Sequence, residues 1–131
     1  MSTIANGSIE MGSWTEEAFA EQEGTPKLTR AFGHDLYHGA IEGKASFEYL
    51  MIYRDDGVTS YVGLERVVGA LNGREGSFVL RIQGAHQEGG VDASLSIEPG
   101  SGTGDLRGLR GAGTLTWQGN TGAVTLDYEF E

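Results

Sequence analysis

Apolar and polar residues alternate along most of this chain with the period of two that is typical of half-buried β-strands. The alternation predicts eight strands, at residues 9–19, 28–41, 45–54, 60–70, 77–86, 91–98, 109–117 and 123–131. Turn-forming residues separate the strands, including Asp55-Asp56-Gly57 and Asn72-Gly73, which are typical of tight hairpins. Eight strands, regular turns and no long amphipathic helix predict one all-β domain over residues 1–131, either a sandwich or an antiparallel barrel.

A glycine-rich stretch leads into the seventh strand. Residues 99–113 read PGSGTGDLRGLRGAG and include six glycines. Glycine is needed where the backbone takes a positive φ or closely approaches another chain segment, so this stretch predicts a tight bend. A sharp bend that feeds a strand suits a closed barrel, in which strands must curve past one another.

The strand at residues 45–54 is apolar on both faces. Its odd-numbered positions form an aromatic-rich face, and Glu48 shares the even-numbered face with two aliphatic residues. We therefore expect Glu48 to be at least partly buried, and a buried carboxylate needs a partner. Arg66 and Arg81 on neighbouring predicted strands are the candidate partners.

Three segments together carry a family resemblance. The segments EYLMIYR, YVGLERVVGALNGREGSFVL and GSGTGDLRGLRG resemble a family of short, largely uncharacterised bacterial proteins, and the resemblance extends from Trp14 to the end of the chain. It implies an eight-stranded antiparallel barrel similar to those of allene oxide cyclase and the dirigent proteins. Those proteins steer the cyclisation or coupling of reactive small molecules, so the resemblance implies a related role for the lumen of this barrel.

Composition narrows the possible partners. The 131 residues include 19 acidic and 9 basic ones, for a net charge of −10, and no cysteine. The acidic balance argues against a nucleic-acid partner, and no stretch approaches the roughly 18 apolar residues of a membrane span. The first residues lack a basic segment followed by an apolar run, so we expect a cytoplasmic protein that does not bind membranes.

Motifs for cofactor chemistry are missing. The glycine-rich stretch lacks the third glycine of a dinucleotide-binding loop and the Gly-Lys-Ser/Thr of an ATP-binding loop. No G-x-S-x-G nucleophile motif is present. His34 and His38 lie four residues apart on one strand, roughly 13 Å, which is too far for them to share a metal ion. We therefore predict no metal and no organic cofactor.

Polar and aromatic residues within the apolar strands are the candidate site. If the lumen is catalytic, a glutamate would move a proton while an arginine or a tyrosine stabilises developing negative charge. In the first strand Trp14 falls on the face opposite Ile9 and Met11. The candidate catalytic residues are Glu48, Glu65 and Arg81, and the candidate ligand-binding residues are Trp14, Tyr49, Tyr53, Arg66, His86 and Trp117.

Three functions fit this pattern. The first is an isomerase or cyclase that needs no cofactor and acts on an apolar substrate in the lumen. The second is a carrier or sensor that binds a hydrophobic ligand without chemistry. The third is a packed barrel that forms a homodimer or small homo-oligomer, because an exposed strand that is apolar on both faces favours association.

Overall fold

The computed structural model describes residues 2–131 and consists of β-strands joined by short loops. The strands are β1 (Thr3–Ala20), β2 (Lys27–Gly39), β3 (Ile41–Tyr53), β4 (Thr59–Leu71), β5 (Arg74–Gln87), β6 (Gly90–Ile97), β7 (Thr103–Gly104), β8 (Leu109–Gln118) and β9 (Thr121–Phe130). The eight predicted strands correspond to all of these except β7, which has only two residues. No helix capable of crossing a membrane is found among residues 2–131.

The eight long strands form one closed ring. Each pairs antiparallel with its two neighbours in the order β1-β2-β3-β4-β5-β6-β8-β9, and β9 pairs back with β1. The short β7 adds to β5 beside Gly76 and Ser77. Because the pairing is continuous around the ring, the fold is the predicted eight-stranded antiparallel barrel and not a sandwich.

Alternate residues of each strand point into the lumen. On β3 the odd-numbered residues from Ile41 to Met51 are buried, apart from Gly43, and the even-numbered ones are exposed. Antiparallel partners share a face, so Ala31 of β2, which pairs with Tyr49, also points inward. The same rule places the odd-numbered residues of β4 inside the barrel.

A β-bulge changes the inward face of β1. The register against β2 shifts between Met11 and Ser13, so that Met11 pairs with Asp35 while Trp14 pairs with Gly33. Both partners lie on the inward face of β2, and Met11 and Trp14 therefore face the lumen together. The expectation that Trp14 lies opposite Met11 is wrong because a strict period of two does not include the bulge.

The glycine-rich stretch closes one end of the barrel. Its backbone takes a positive φ at Gly100, Gly104 and Gly108, as a tight bend requires. The bend inserts Leu106 into the lumen, where this side chain is 0% exposed. The bend predicted from the glycines thus plugs this end of the barrel with Leu106, which packs in the core.

Candidate ligand-binding cavity

A cavity of about 490 Å³ occupies the open half of the lumen. Six aromatic side chains line it: Trp14, Phe47, Tyr49, Tyr53, Tyr61 and Trp117. Four of these form a continuous series of ring contacts, because Phe47 lies 5.6 Å from Trp14 and 5.1 Å from Tyr49, which in turn lies 5.1 Å from Tyr61. The cavity therefore offers aromatic faces and edges to any molecule that enters it.

Glycines make room for these rings. A Cβ atom at Gly63 would lie 2.3 Å from the ring of Tyr49, its partner across the strand pair. A Cβ atom at Gly122 would lie 2.9 Å from the indole of Trp117. Tyr49 and Trp117 thus each pack against a glycine of the neighbouring strand, where a Cβ atom would displace the ring.

One buried carboxyl group, that of Asp35, forms the floor of the cavity, and a second, that of Glu65, lies behind Tyr49. Glu65 is 1% exposed, and its Oε2 accepts a hydrogen bond of 2.9 Å from the hydroxyl of Tyr49. Asp35 is 4% exposed and lines the cavity. Oδ1 of Asp35, Oε1 of Glu65 and the hydroxyl of Tyr37 are buried and have no hydrogen-bond partner of normal geometry within residues 2–131.

Burial changes the acidity of this floor. Burial, with a smaller contribution from the charge of Glu65, raises the pKa of Asp35 from 3.8 to about 7. Burial likewise raises the pKa of Glu65, although Tyr37 and Tyr49 oppose this rise. Tyr37 thus lies near enough to influence Glu65 even without a well-formed hydrogen bond. A carboxyl group that titrates near neutral pH can either donate or accept a proton there.

A third carboxyl group lies at the mouth of the cavity and is fully hydrogen-bonded. Glu16 accepts hydrogen bonds from the hydroxyl of Tyr53, from Oγ1 of Thr29 at 2.8 Å and from Nε1 of Trp14 at 3.2 Å. Burial opposes its charge, but these donors outweigh burial and lower its pKa. Burial and the contact with Glu16 raise the pKa of Tyr53 to about 12. The mouth therefore keeps a fixed negative charge.

The structure brings most of the predicted ligand-binding residues to this cavity. Trp14, Tyr49, Tyr53, His86 and Trp117 line it, and Glu65 is buried behind Tyr49. Their roles in binding or catalysis stay predictions. His34 and His38 face outward on β2, and no three His, Asp or Glu side chains within residues 2–131 come together as metal ligands do.

Three predicted site residues lie outside the lumen. Glu48 is exposed and pairs with Arg30, at 2.9 Å between Oε2 and Nε. Arg81 is exposed and pairs with Glu98, and Arg66 is also exposed. The expectation that Glu48 is buried beside Arg66 or Arg81 is wrong, because the even-numbered residues of β3 and β4 and the odd-numbered residues of β5 point outward.

Sequence reasoning missed Asp35, Tyr37 and Tyr61. On β2 the even-numbered residues, such as Phe32 and Leu36, look more apolar than the odd-numbered ones, and that contrast hid the inward face. In the structure, Asp35 pairs with Ala45, which shares a face with Tyr49, and nothing in the sequence of β2 alone indicates this pairing.

The fold and this site define a closed eight-stranded antiparallel β-barrel with one plugged end and one open, aromatic-lined cavity. Residues 5–130 match the model of the family described as "Protein of unknown function (DUF3224)", and the chain belongs to that family. This confirms the predicted membership of an uncharacterised bacterial family. The likeness to allene oxide cyclase and the dirigent proteins stays a prediction.

A solved structure supports the same fold. The crystal structure of a protein with unknown function from the DUF3224 family of Shewanella oneidensis MR-1 is 30% identical in sequence to this chain. The superposition covers 100% of this chain and 99% of that one, with a TM-score of 0.86. No curated protein is significantly similar in sequence.

Proposed function

We propose that the open half of the barrel binds a small, mostly apolar molecule. The observation that carries this proposal is the cavity of about 490 Å³, lined by six aromatic side chains and floored by Asp35. Ligand pockets are commonly about 300–1,000 Å³, mostly apolar, with a few convergent polar groups that orient the ligand. The plug at Leu106 supports binding from the opposite side, because it fills its own end of the barrel with a buried side chain.

Release of a retained molecule tests this proposal first. Native mass spectrometry of protein purified from its own host, followed by denaturation, should release a small apolar molecule in a fixed ratio to the chain. The same compound should quench the fluorescence of Trp14 and Trp117, which line the cavity. Trp117→Ala should weaken its binding, whereas Phe32→Ala, which removes an aromatic ring from the outer wall beside Arg30, should not. Equal effects of the two variants would contradict binding in the lumen.

Catalysis by proton transfer is the second candidate, and the pKa of about 7 at Asp35 favours it. Ionised Asp35 would take a proton from a carbon of the bound substrate and return it to another position, which is an isomerisation or, with ring closure, a cyclisation. The hydroxyl of Tyr61, which lines the cavity, would stabilise charge that develops on the substrate. The carboxyl group of Asp35 would carry out both proton transfers from its position at the floor of the cavity.

The compound released from the protein also tests catalysis. Incubated with fresh protein, it should change into an isomer. Asp35→Asn should abolish this conversion while the compound still binds, and Glu48→Gln should convert it at the normal rate because Glu48 lies on the outer wall. If the unchanged protein binds the compound without converting it, the remaining hypothesis is that the protein is a carrier or sensor.

We also propose that the protein is located in the cytoplasm.

We also propose that two copies associate through the outer face of β2–β5. This face is four strands wide and about 13 residues long. At about 3.3 Å per residue and about 4.8 Å per strand, its area is roughly 800 Å², which is the area that each partner of a stable dimer buries. It exposes six large apolar side chains, which are 37–57% exposed: Leu36, Leu50, Ile52, Val62, Leu64 and Val68. It also carries four of the nine basic residues of a chain with net charge −10, Arg30, Lys44, Arg66 and Arg81, which reduces repulsion between two copies there.

A further inference from the structure

The acidic side chains that line the cavity are those of Asp35 and Glu16, and Glu65 lies buried beside Tyr49. Within residues 2–131, no lysine or arginine lines the cavity. The ammonium of Lys27 lies 4.5 Å from the ring centroid of Tyr53 and is close enough to Glu16 to lower its pKa. Among the described residues, Asp35 therefore has no lysine or arginine beside it in the cavity to balance its charge.

Asp35 differs from Glu16 because it has no hydrogen-bond donor among residues 2–131. Glu16 already accepts hydrogen bonds from three side chains, whereas Oδ1 of Asp35 is buried without a partner. A buried carboxylate without a donor is costly, and a charged donor satisfies it best. Asp35 lines the cavity and accepts no hydrogen bond from residues 2–131, so a molecule in the cavity can supply the donor to its carboxyl group.

The aromatic wall favours the same kind of group. Rings attract cations through the negative charge of their faces, and tryptophan and tyrosine do so more strongly than phenylalanine. Five of the six aromatic side chains in the cavity are tryptophan or tyrosine. An ammonium group that enters between these rings is attracted along its path as well as at the floor.

We propose that the cavity selects a hydrophobic organic cation, an amine whose ammonium group lies against the carboxylate of Asp35 and whose apolar body packs against the aromatic rings. This rests on the proposed binding function and names the class of its ligand. An anionic ligand such as a fatty acid would bring its carboxylate into a cavity that Asp35 and Glu16 line. A neutral ligand without a donor would leave the carboxyl group of Asp35 without a hydrogen bond.

The affinity of the ammonium group for the carboxylate of Asp35 should depend on pH in a defined direction. The titratable groups that face Asp35 are Glu65 of β4, Tyr49 of β3 and Tyr37 of its own strand, with Glu16 and His86 nearer the mouth. Because burial keeps part of the Asp35 population protonated at neutral pH, an ammonium must displace that proton. Affinity for an amine should therefore rise as pH increases from about 6 to about 8.

Three probes with one naphthalene body separate charge from shape: 2-naphthylmethylamine, 2-naphthylmethanol and 2-naphthoate. Calorimetric titration at about pH 8, where Asp35 is largely ionised, should give the amine an affinity at least about tenfold above the alcohol and the carboxylate. If the alcohol or the carboxylate binds as tightly as the amine, the inference is overturned and the binding function stands. If none of the three binds, both are overturned.

Variants assign the preference to Asp35. Asp35→Asn should reduce the advantage of the amine over the alcohol to about twofold or less, with the affinity for the alcohol nearly unchanged. Glu48→Gln, which removes a carboxylate from the outer wall, should keep the full preference. An amine preference that survives in Asp35→Asn would overturn the assignment. If Asp35→Asn does not fold, the unchanged protein decides: the amine affinity must rise between about pH 6 and about pH 8 while that for the alcohol stays constant, and a flat profile for the amine overturns the proposal.

Discussion

The hydroxyl of Tyr49 on β3 donates a hydrogen bond of 2.9 Å to Oε2 of Glu65 on β4, and this contact lies between the cavity and the packed half of the barrel. Glu65 is buried, so the hydrogen bond satisfies an acceptor that water does not reach. The hydroxyl of Tyr49 thus stabilises the buried Glu65, and the ring of Tyr49 forms part of the cavity wall.

Tyr49→Phe should lower the free energy of unfolding by about 1–3 kcal/mol, because it removes the donor and leaves the acceptor buried. Tyr61→Phe is the matched control, since no hydrogen bond from the Tyr61 hydroxyl is found within residues 2–131 and its ring also lines the cavity. Urea denaturation of both variants measures the difference. Equal costs for the two changes would mean that the contact with Glu65 contributes nothing beyond the loss of a hydroxyl.

Stability should depend on pH through Asp35. Its pKa is about 7 in the folded chain against an ordinary value of 3.8, so the folded state holds the proton over a range in which the unfolded state has lost it. The contribution of Asp35 to stability is therefore fully present below about pH 4 and is lost as pH rises to about 7, a change on the order of 4 kcal/mol. The raised pKa of Glu65 acts in the same direction.

Asp35→Asn should flatten this part of the profile and make the protein more stable than the unchanged chain at about pH 8, where the buried charge is most costly. Asp127→Asn removes the same charge from the exposed face of β9 and should leave the dependence on pH unaltered. Denaturation midpoints measured from about pH 4 to about pH 8 compare the three proteins. Parallel profiles for Asp35→Asn and the unchanged chain would contradict a neutral-range pKa at this site.

The barrel could be predicted from the sequence because its determinants are local. The alternation of apolar and polar residues specifies the strands. The turns between them are short and regular, as at Asn72, which has a φ of 47° beside Gly73. The glycine-rich bend was predicted from composition alone. That Leu106 would occupy the lumen depends on where the bend lies relative to β5, a contact between distant parts of the chain.

The interior of the site was harder to predict because the outer wall is also apolar. Leu50, Ile52 and Val62 make the outward face of β3 and β4 resemble a core, and the sequence therefore predicts that Glu48, which shares a face with Leu50 and Ile52, is partly buried. A shift of one residue in register exchanges every inward side chain for an outward one, and the register of β2 against β3 is not visible in either strand alone. Asp35 points inward because it pairs with Ala45, which no periodicity could show.

Gly63→Ala should destabilise the barrel by more than glycine-to-alanine changes usually do. Its Cβ would lie 2.3 Å from the Tyr49 ring and 2.2 Å from the carbonyl oxygen of Glu48, so the two strands or the ring must move. We expect a loss of about 1–3 kcal/mol and a weaker affinity for naphthyl probes, because a displaced ring narrows the cavity. Gly57→Ala, in an open turn with a φ of +85°, tests backbone strain without a clash and should leave probe affinity unchanged. Unfolding curves and titrations that do not distinguish the two variants would contradict the packing role of Gly63.

The outer face of β2–β5 should control the oligomeric state. Val62 and Leu64 lie near its centre on β4 and are 54% and 53% exposed, so a second copy that covers this face must bury them. Val62→Glu combined with Leu64→Lys keeps the net charge and places two charges where the partner would pack, which should convert a dimer into a monomer in sedimentation velocity experiments at micromolar concentration. The matched control is Ile4→Glu combined with Thr125→Lys, which places the same two charges on the exposed outer face of β1 and β9 and should leave the dimer intact. An unchanged protein that sediments as a monomer would contradict the interface, and a dimer that resists the β4 changes would place it on another face.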